Sequence, residues 1–206
     1  MIDWLLAPID VTRGHDLSGV AAWHGRIMVL AWAVLLPVGV IVARFFKITK
    51  RQNWPQVLDN KTWWIAHQSL QYAATLLMIG AVWLIWRPGS LGGAWHTWFG
   101  WVIVGICIIQ ILGGWLRGSK GGPTDPQPGG SLGGDHYAMT PRRRAFEATH
   151  KSVGYAALLL SIATILSGLW LVNAPRWMWL ALGLWWLFLI GLWLHLQARG
   201  KAVDTY

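Results

Sequence analysis

Apolar, uncharged positions dominate this chain and gather into five blocks: Ala21–Phe46, Trp63–Trp86, Ala94–Leu116, Thr149–Val172 and Trp177–Leu196. Each is long enough to cross about 30 Å of hydrocarbon as a helix rising about 1.5 Å per residue. In lipid, only helices and closed barrels satisfy their own backbone, and these continuous Leu, Ile, Val, Ala and Trp runs lack the alternation of a barrel strand. The pattern predicts an all-α integral membrane protein with five transmembrane helices. Residues 1–20 read as a short outer N-terminal tail, 21–197 as the membrane domain and 198–206 as an inner C-terminal tail. The tail carries Pro8, Asp3, Asp10 and Asp16, which breaks the basic head and apolar core of a signal peptide, so it is expected to lie at the interface. The long inner loop, 117–141, is rich in Gly and Pro and predicted to be flexible, with Pro141 opening a helix that runs into the fourth span.

Composition agrees with that pattern. Of 206 residues, 55% are hydrophobic and 12% charged, against about 25% charged in a soluble domain. The formal net charge of +9 therefore sits in the connections. Arg44, Lys47, Lys50, Arg51 and Lys61 lie between spans one and two, and Arg117, Lys120, Arg142, Arg143 and Arg144 between three and four. The opposite side offers Arg13, Arg87 and Arg176. By the positive-inside rule the N-terminus is outside and the C-terminus cytoplasmic, and a bacterial cytoplasmic membrane is the expected location. The bilayer is the expected partner of this charge, the Arg142–Arg144 run reading most simply as a lipid head-group contact. No nucleic-acid partner is expected.

Candidate chemistry comes from four of the seven His: His24, His67, His96 and His150. Each lies in the first turns of a different span, and an ionisable side chain inside a span is costly. Because consecutive helices run in opposite directions, His24 and His96 fall near the outer face and His67 and His150 near the inner face. Two imidazoles from facing helices can occupy both axial positions of a haem iron inside a bundle. Zinc would want three or four ligands per site, and the one Cys and the absence of Asp and Glu from these blocks do not supply them. A structural or interfacial role remains open for any one His alone. Four consecutive spans carrying one each favour two cofactor sites, separated by roughly 20–25 Å along the membrane normal at about 1.5 Å per residue.

Gly100 follows His96, and Gly154 follows His150, by one turn on the same face. About five turns on from His96 and His150, Gly114 and Gly168 fall on those faces again. Each helix so carries a His for one haem and a gap where the other could sit, although Gly also eases helix packing.

The stretches beginning WHGRIMVLAW, WWIAHQSLQY, HTWFGWVIVG and THKSVGYAAL resemble the four-helix core of the cytochrome b561 and ferric reductase transmembrane family, particularly its DOMON-linked form. The resemblance covers about Trp23 to Leu196. It implies that His24, His67, His96 and His150 are axial ligands of two haem b groups, and that the first four spans form the haem-binding bundle with the C-terminal helix peripheral. No DOMON domain is expected on this chain. The ascorbate-using branch has six helices, so a quinol, ascorbate or a partner protein are all compatible donors.

Arg26 beside His24, and Arg44 at the inner end, are candidate partners for haem propionates or an anionic donor. Gln71, one turn past His67, reads as a helix-packing residue, His195 as interfacial, His15 and His136 as solvent-facing, and Cys107 as a small apolar residue. Trp185 and Trp186, mid-span in the fifth helix, are expected to pack on the bundle or on a second subunit, as a homodimer or with a partner membrane protein. These readings lead to a dihaem electron carrier between an inner or membrane donor and an outer acceptor, a transmembrane oxidoreductase if it turns over alone. The alternative is a haem-containing structural or relay subunit of a larger membrane complex.

Overall fold

The computed structural model describes residues 1–15, 17–53, 61–86, 94–118 and 140–203. The expectations for Asp16, Arg87, Lys120 and His136, and for most of the inner loop, fall outside the described residues. The chain is an all-α integral membrane protein with five helices long and apolar enough to cross a bilayer. They are span 1 (Gly19–Phe45), span 2 (Thr62–Ile85), span 3 (Ala94–Trp115), span 4 (Pro141–Leu171) and span 5 (Arg176–Ala198). A further short helix covers Ile2–Leu6.

Helix starts follow local chemistry. Ser18 caps span 1 by accepting from Ala21 N at 3.2 Å, and Thr140 caps span 4 by accepting from Arg143 N at 3.2 Å. Pro141 occupies the first turn of span 4, where its missing N–H costs nothing. The helix therefore begins well before the apolar run that starts at Thr149, which carries Arg143 and Glu147 onto the same helix as His150.

Span 1 is the centre of the assembly. Its Leu30–Leu35 stretch is a π-helical turn, and Pro37 stands two residues beyond it. In an α-helix the Ala33 carbonyl would accept from residue 37, and proline has no N–H to give. Trp185 of span 5 supplies the donor instead, its Nε1–H reaching Ala33 O at 2.7 Å. Ala31, Trp32 and Ala33 are all buried, because span 1 is covered by the bundle and by span 5 together. The main core joins Trp32, Ala74, Met78, Ile103, Cys107 and Ala157, drawn from spans 1 to 4, and Trp185 and Trp186 pack against it. Both tryptophans thus pack on the bundle, one of the two settings expected of them. Nearer the C-terminus, Leu189 of span 5 meets Ile41 and Phe45.

The N-terminal tail is docked on the turn between spans 4 and 5. Asn173, buried and at a positive φ of 50°, accepts from Asp10 N at 3.1 Å and donates Nδ2–H to Asp10 O at 2.9 Å and Arg13 O at 2.8 Å. The Arg13 guanidinium reaches the Trp170 and Leu171 carbonyls, a cation on the negative end of span 4. His15, though exposed, is not purely solvent-facing, since its Nδ1–H lies 2.9 Å from Val172 O. Thr12 donates to the Asp10 carboxylate at 2.6 Å, which holds that group below the usual carboxylate range.

Replacing Trp185 with Phe keeps the ring and removes the donor to Ala33. Detergent-solubilised protein should lose about 1–3 kcal/mol of stability, read as a lowered midpoint of thermal unfolding, and an unchanged midpoint would show that the Ala33 carbonyl does not need the indole.

Candidate functional site

Contacts between neighbouring spans set the four His at two levels. The end of the bundle that holds the N-terminus, the N-side, carries His24 and His96, with ring centres 6.2 Å apart and planes at 82°. The opposite end, the C-side, carries His67 and His150, 6.5 Å apart and at 77°. An imidazole nitrogen binds a first-row metal at about 2 Å and lies a little over 1 Å from its ring centre, so two imidazoles flanking one ion sit roughly 6 Å apart. Both pairs have that separation.

Three of the four rings are held by the same device. His24 Nδ1–H donates to Ala81 O at 2.9 Å, His67 to Gly39 O at 2.9 Å and His96 to Thr164 O at 3.0 Å. In each case the acceptor is a backbone carbonyl on an adjacent helix. A carbonyl can only accept, so Nδ1 carries the proton and Nε2 presents its lone pair, the tautomer a metal requires. Small residues make the reach possible. A Cβ at Gly39 would collide with Gln71 Nε2, and Gln71 itself donates towards Leu36 O at 3.4 Å, a helix-packing role. A Cβ at Gly168 would lie 2.9 Å from His96 Cε1. The gap expected at Gly168 is therefore filled by the His96 ring.

The C-side pair opens on a cavity of about 430 Å³. Gly154 and Gly114 line it, Gly154 facing Gln110 and Gly114 facing open space. Gln110 donates to His150 O at 2.9 Å, a polar residue in an apolar span whose lone amide was the available signal. Phe146 stacks on His150 at 4.9 Å and Trp64 on His67 at 6.3 Å, aromatic plates one turn from each ring that shield it from water. Gly100 of span 3 also faces open space.

Charge converges on the same cavity. Arg143, buried at 6% exposure, pairs with Glu147 at 2.8 Å, and Lys151 reaches the same carboxylate at 3.2 Å. Arg44 lies over Trp193 at 5.1 Å and donates to Gln197 at 3.0 Å. Among the described residues, four buried side-chain nitrogens have no hydrogen-bond partner: Trp32 Nε1, Arg44 Nε, Arg143 Nε and His150 Nδ1. All four residues line this one cavity. Buried polar groups are ordinarily satisfied, so their convergence marks a space that suits a bulky group bearing acceptors. A haem fits on both counts, offering propionates to the guanidinium donors and an iron to the imidazoles. Among the described residues no three His, Cys, Asp or Glu gather to hold an ion, so each pair offers two donors, the number that axial ligation of haem uses.

Arg26 is exposed and lies over Trp23 at 5.2 Å, two residues on from His24 and so off that ring's face of the helix. The Arg142–Arg144 run divides. Arg142 donates to Leu116 O at 2.6 Å at the end of span 3, Arg143 turns into the cavity and Arg144 is exposed.

No protein-family model matches the chain, and no solved structure matches it. Curated relatives do. A cytochrome b561, DM13 and DOMON domain-containing protein of Arabidopsis thaliana is 27% identical over 170 residues, 78% of this chain and 16% of the relative. Ferric-chelate reductase 1 of Homo sapiens is 28% identical over 79% of this chain and 24% of its own length. A putative ferric-chelate reductase 1 homolog of Drosophila melanogaster is 30% identical over 83% of this chain, again 24% of the relative. The chain thus spans a quarter or less of each of these three relatives. Those relatives are a plant protein and two animal proteins, so they lend no support to a bacterial membrane. Across most of its length, this chain belongs to the cytochrome b561 and ferric reductase transmembrane family.

Proposed function

We propose that the chain is a transmembrane electron-transfer protein holding two b-type haems, one at each His pair. The observation that carries this reading is the repeated pair itself: two imidazoles from facing helices, ring centres 6.2 and 6.5 Å apart, at opposite ends of one bundle. Bound haem would supply one-electron chemistry at each level. The residues do the rest. His24, His67 and His96 keep Nε2 forward through their bonds to Ala81, Gly39 and Thr164, and Phe146 and Trp64 cover the C-side rings. Arg44 and Arg143 neutralise carboxylates at the C-side mouth, whether of propionates or of an anionic donor. No nucleophile or acid–base group is called for.

In the proposed direction the C-side faces the cytoplasm, supported by the excess of Lys and Arg in the connections on that side. Electrons then enter there from a quinol or an ascorbate-like reductant and leave from the N-side to an acceptor such as a ferric chelate. Stopped-flow mixing of the oxidised protein with each reductant tests the donor class: the physiological class reduces the protein rapidly and saturably, and failure of both would point to a protein donor.

A pyridine-haemochrome assay should give about two haems b per chain. His24→Ala and His96→Ala should each remove one and the same haem, and His67→Ala and His150→Ala the other. Loss of both haems from every single variant, or of neither from any, would contradict the pairing. Gly168→Ala should push the His96 ring, costing about 1–3 kcal/mol and altering the spectrum and midpoint potential of the N-side haem alone. A variant with both haems unchanged would show that Gly168 is not the seat of that ring.

A further inference from the structure

Trp32 stands out among the residues that hold no ligand role. It is 4% exposed, yet its Nε1 has no partner among the described residues, an unusual state for a buried indole. The neighbouring indole of Trp185 shows the alternative, bonded to Ala33 O at 2.7 Å. Trp32 lies in the core shared by spans 1 to 4 and also lines the C-side cavity. Along span 1 it comes eight residues after His24, the N-side ligand, and seven before Gly39, whose carbonyl seats the C-side His67. Its ring therefore occupies the mid-depth of the bundle between the two pairs. It lies within the π-helical turn Leu30–Leu35, between the buried Ala31 and Ala33.

Resting on the dihaem reading, we propose that Trp32 is the bridge through which an electron crosses from the C-side centre to the N-side centre. Tunnelling weakens exponentially with the gap it must cross, and less steeply through close-packed unsaturated matter than through saturated side chains or voids. An indole packed among Ala74, Met78, Ile103 and Ala157 fills that gap with one conjugated ring. One electron moves, oxidising the C-side centre and reducing the N-side centre. No bond forms or breaks, and the Nε1 proton stays on Trp32.

The test uses the full-length protein loaded with haem and compares wild type with Trp32→Leu and Trp32→Phe. Haem content, low-spin EPR spectra and both midpoint potentials are measured first, followed by the rate at which an electron injected by flash photoreduction equilibrates between the haems. Both variants lose the same indole N–H and should keep both haems with the same small change in the C-side potential; Trp32→Leu should then equilibrate severalfold more slowly than wild type, and Trp32→Phe, which retains a conjugated ring, should restore a rate near wild type. Equilibration at the wild-type rate in Trp32→Leu would overturn the bridge. So would loss of the C-side haem from both variants, which would make Trp32 part of a cofactor seat instead. A wild-type chain without two haems would overturn the dihaem reading and the bridge with it, and that result is visible before any variant is made.

Discussion

The arrangement depends on one interaction, the hydrogen bond from a buried imidazole N–H to a backbone carbonyl of the adjacent helix. In a bundle surrounded by lipid there is little water to satisfy such a donor, and leaving it unmade costs about 1–3 kcal/mol. His24, His67 and His96 each solve this by reaching a carbonyl that already serves its own helix and still has a lone pair to offer. The bond fixes ring orientation and tautomer together. It also requires helices to approach closely, which explains why Gly39, Ala81 and Gly168 stand where larger side chains would hold the spans apart.

The two ends of the bundle differ in how fully they are satisfied. Both N-side rings are bonded to carbonyls, while the C-side leaves His150 Nδ1, two arginine Nε atoms and the Trp32 indole facing one cavity. The C-side is thereby the electropositive, donor-rich end, and Glu147, held between Arg143 and Lys151, offsets part of that charge near His150. Two chemically similar pairs so sit in different electrostatic surroundings, and such surroundings tune the potential of a redox group held between imidazoles. The docked N-terminal tail adds a polar clamp through Asn173 on the far end of span 4, the helix that carries the acceptor for His96.

Much of this was legible in the sequence because it follows from period and direction. Apolar length gave the five spans, and alternating helix direction sorted His24 with His96 and His67 with His150, the rings the fold brings together. What escaped depends on atoms that composition does not display. Carbonyl acceptors are invisible in a sequence, so Gly168 read as clearance for a cofactor when its neighbour is the His96 ring. Arg26 was placed by proximity along the chain, which does not display its contact with the Trp23 ring. Pro141 marked the start of the fourth helix, but nothing in the sequence showed that Glu147, in its polar first turns, would be held between Arg143 and Lys151. The Trp185 contact with Ala33 depends on Pro37 withholding an N–H, a three-residue relation across two helices that no local pattern reveals.

Electron paramagnetic resonance of the oxidised, haem-loaded protein tests the central claim most directly. The paired imidazole planes stand at 82° and 77°, and near-perpendicular axial rings leave two iron d orbitals almost equal in energy, which makes the low-spin ferric signal strongly anisotropic. Two such signals, together accounting for all the iron, are the expected result. A high-spin ferric signal, or a single low-spin species carrying all the iron, would contradict the claim that these two histidine pairs each hold a haem.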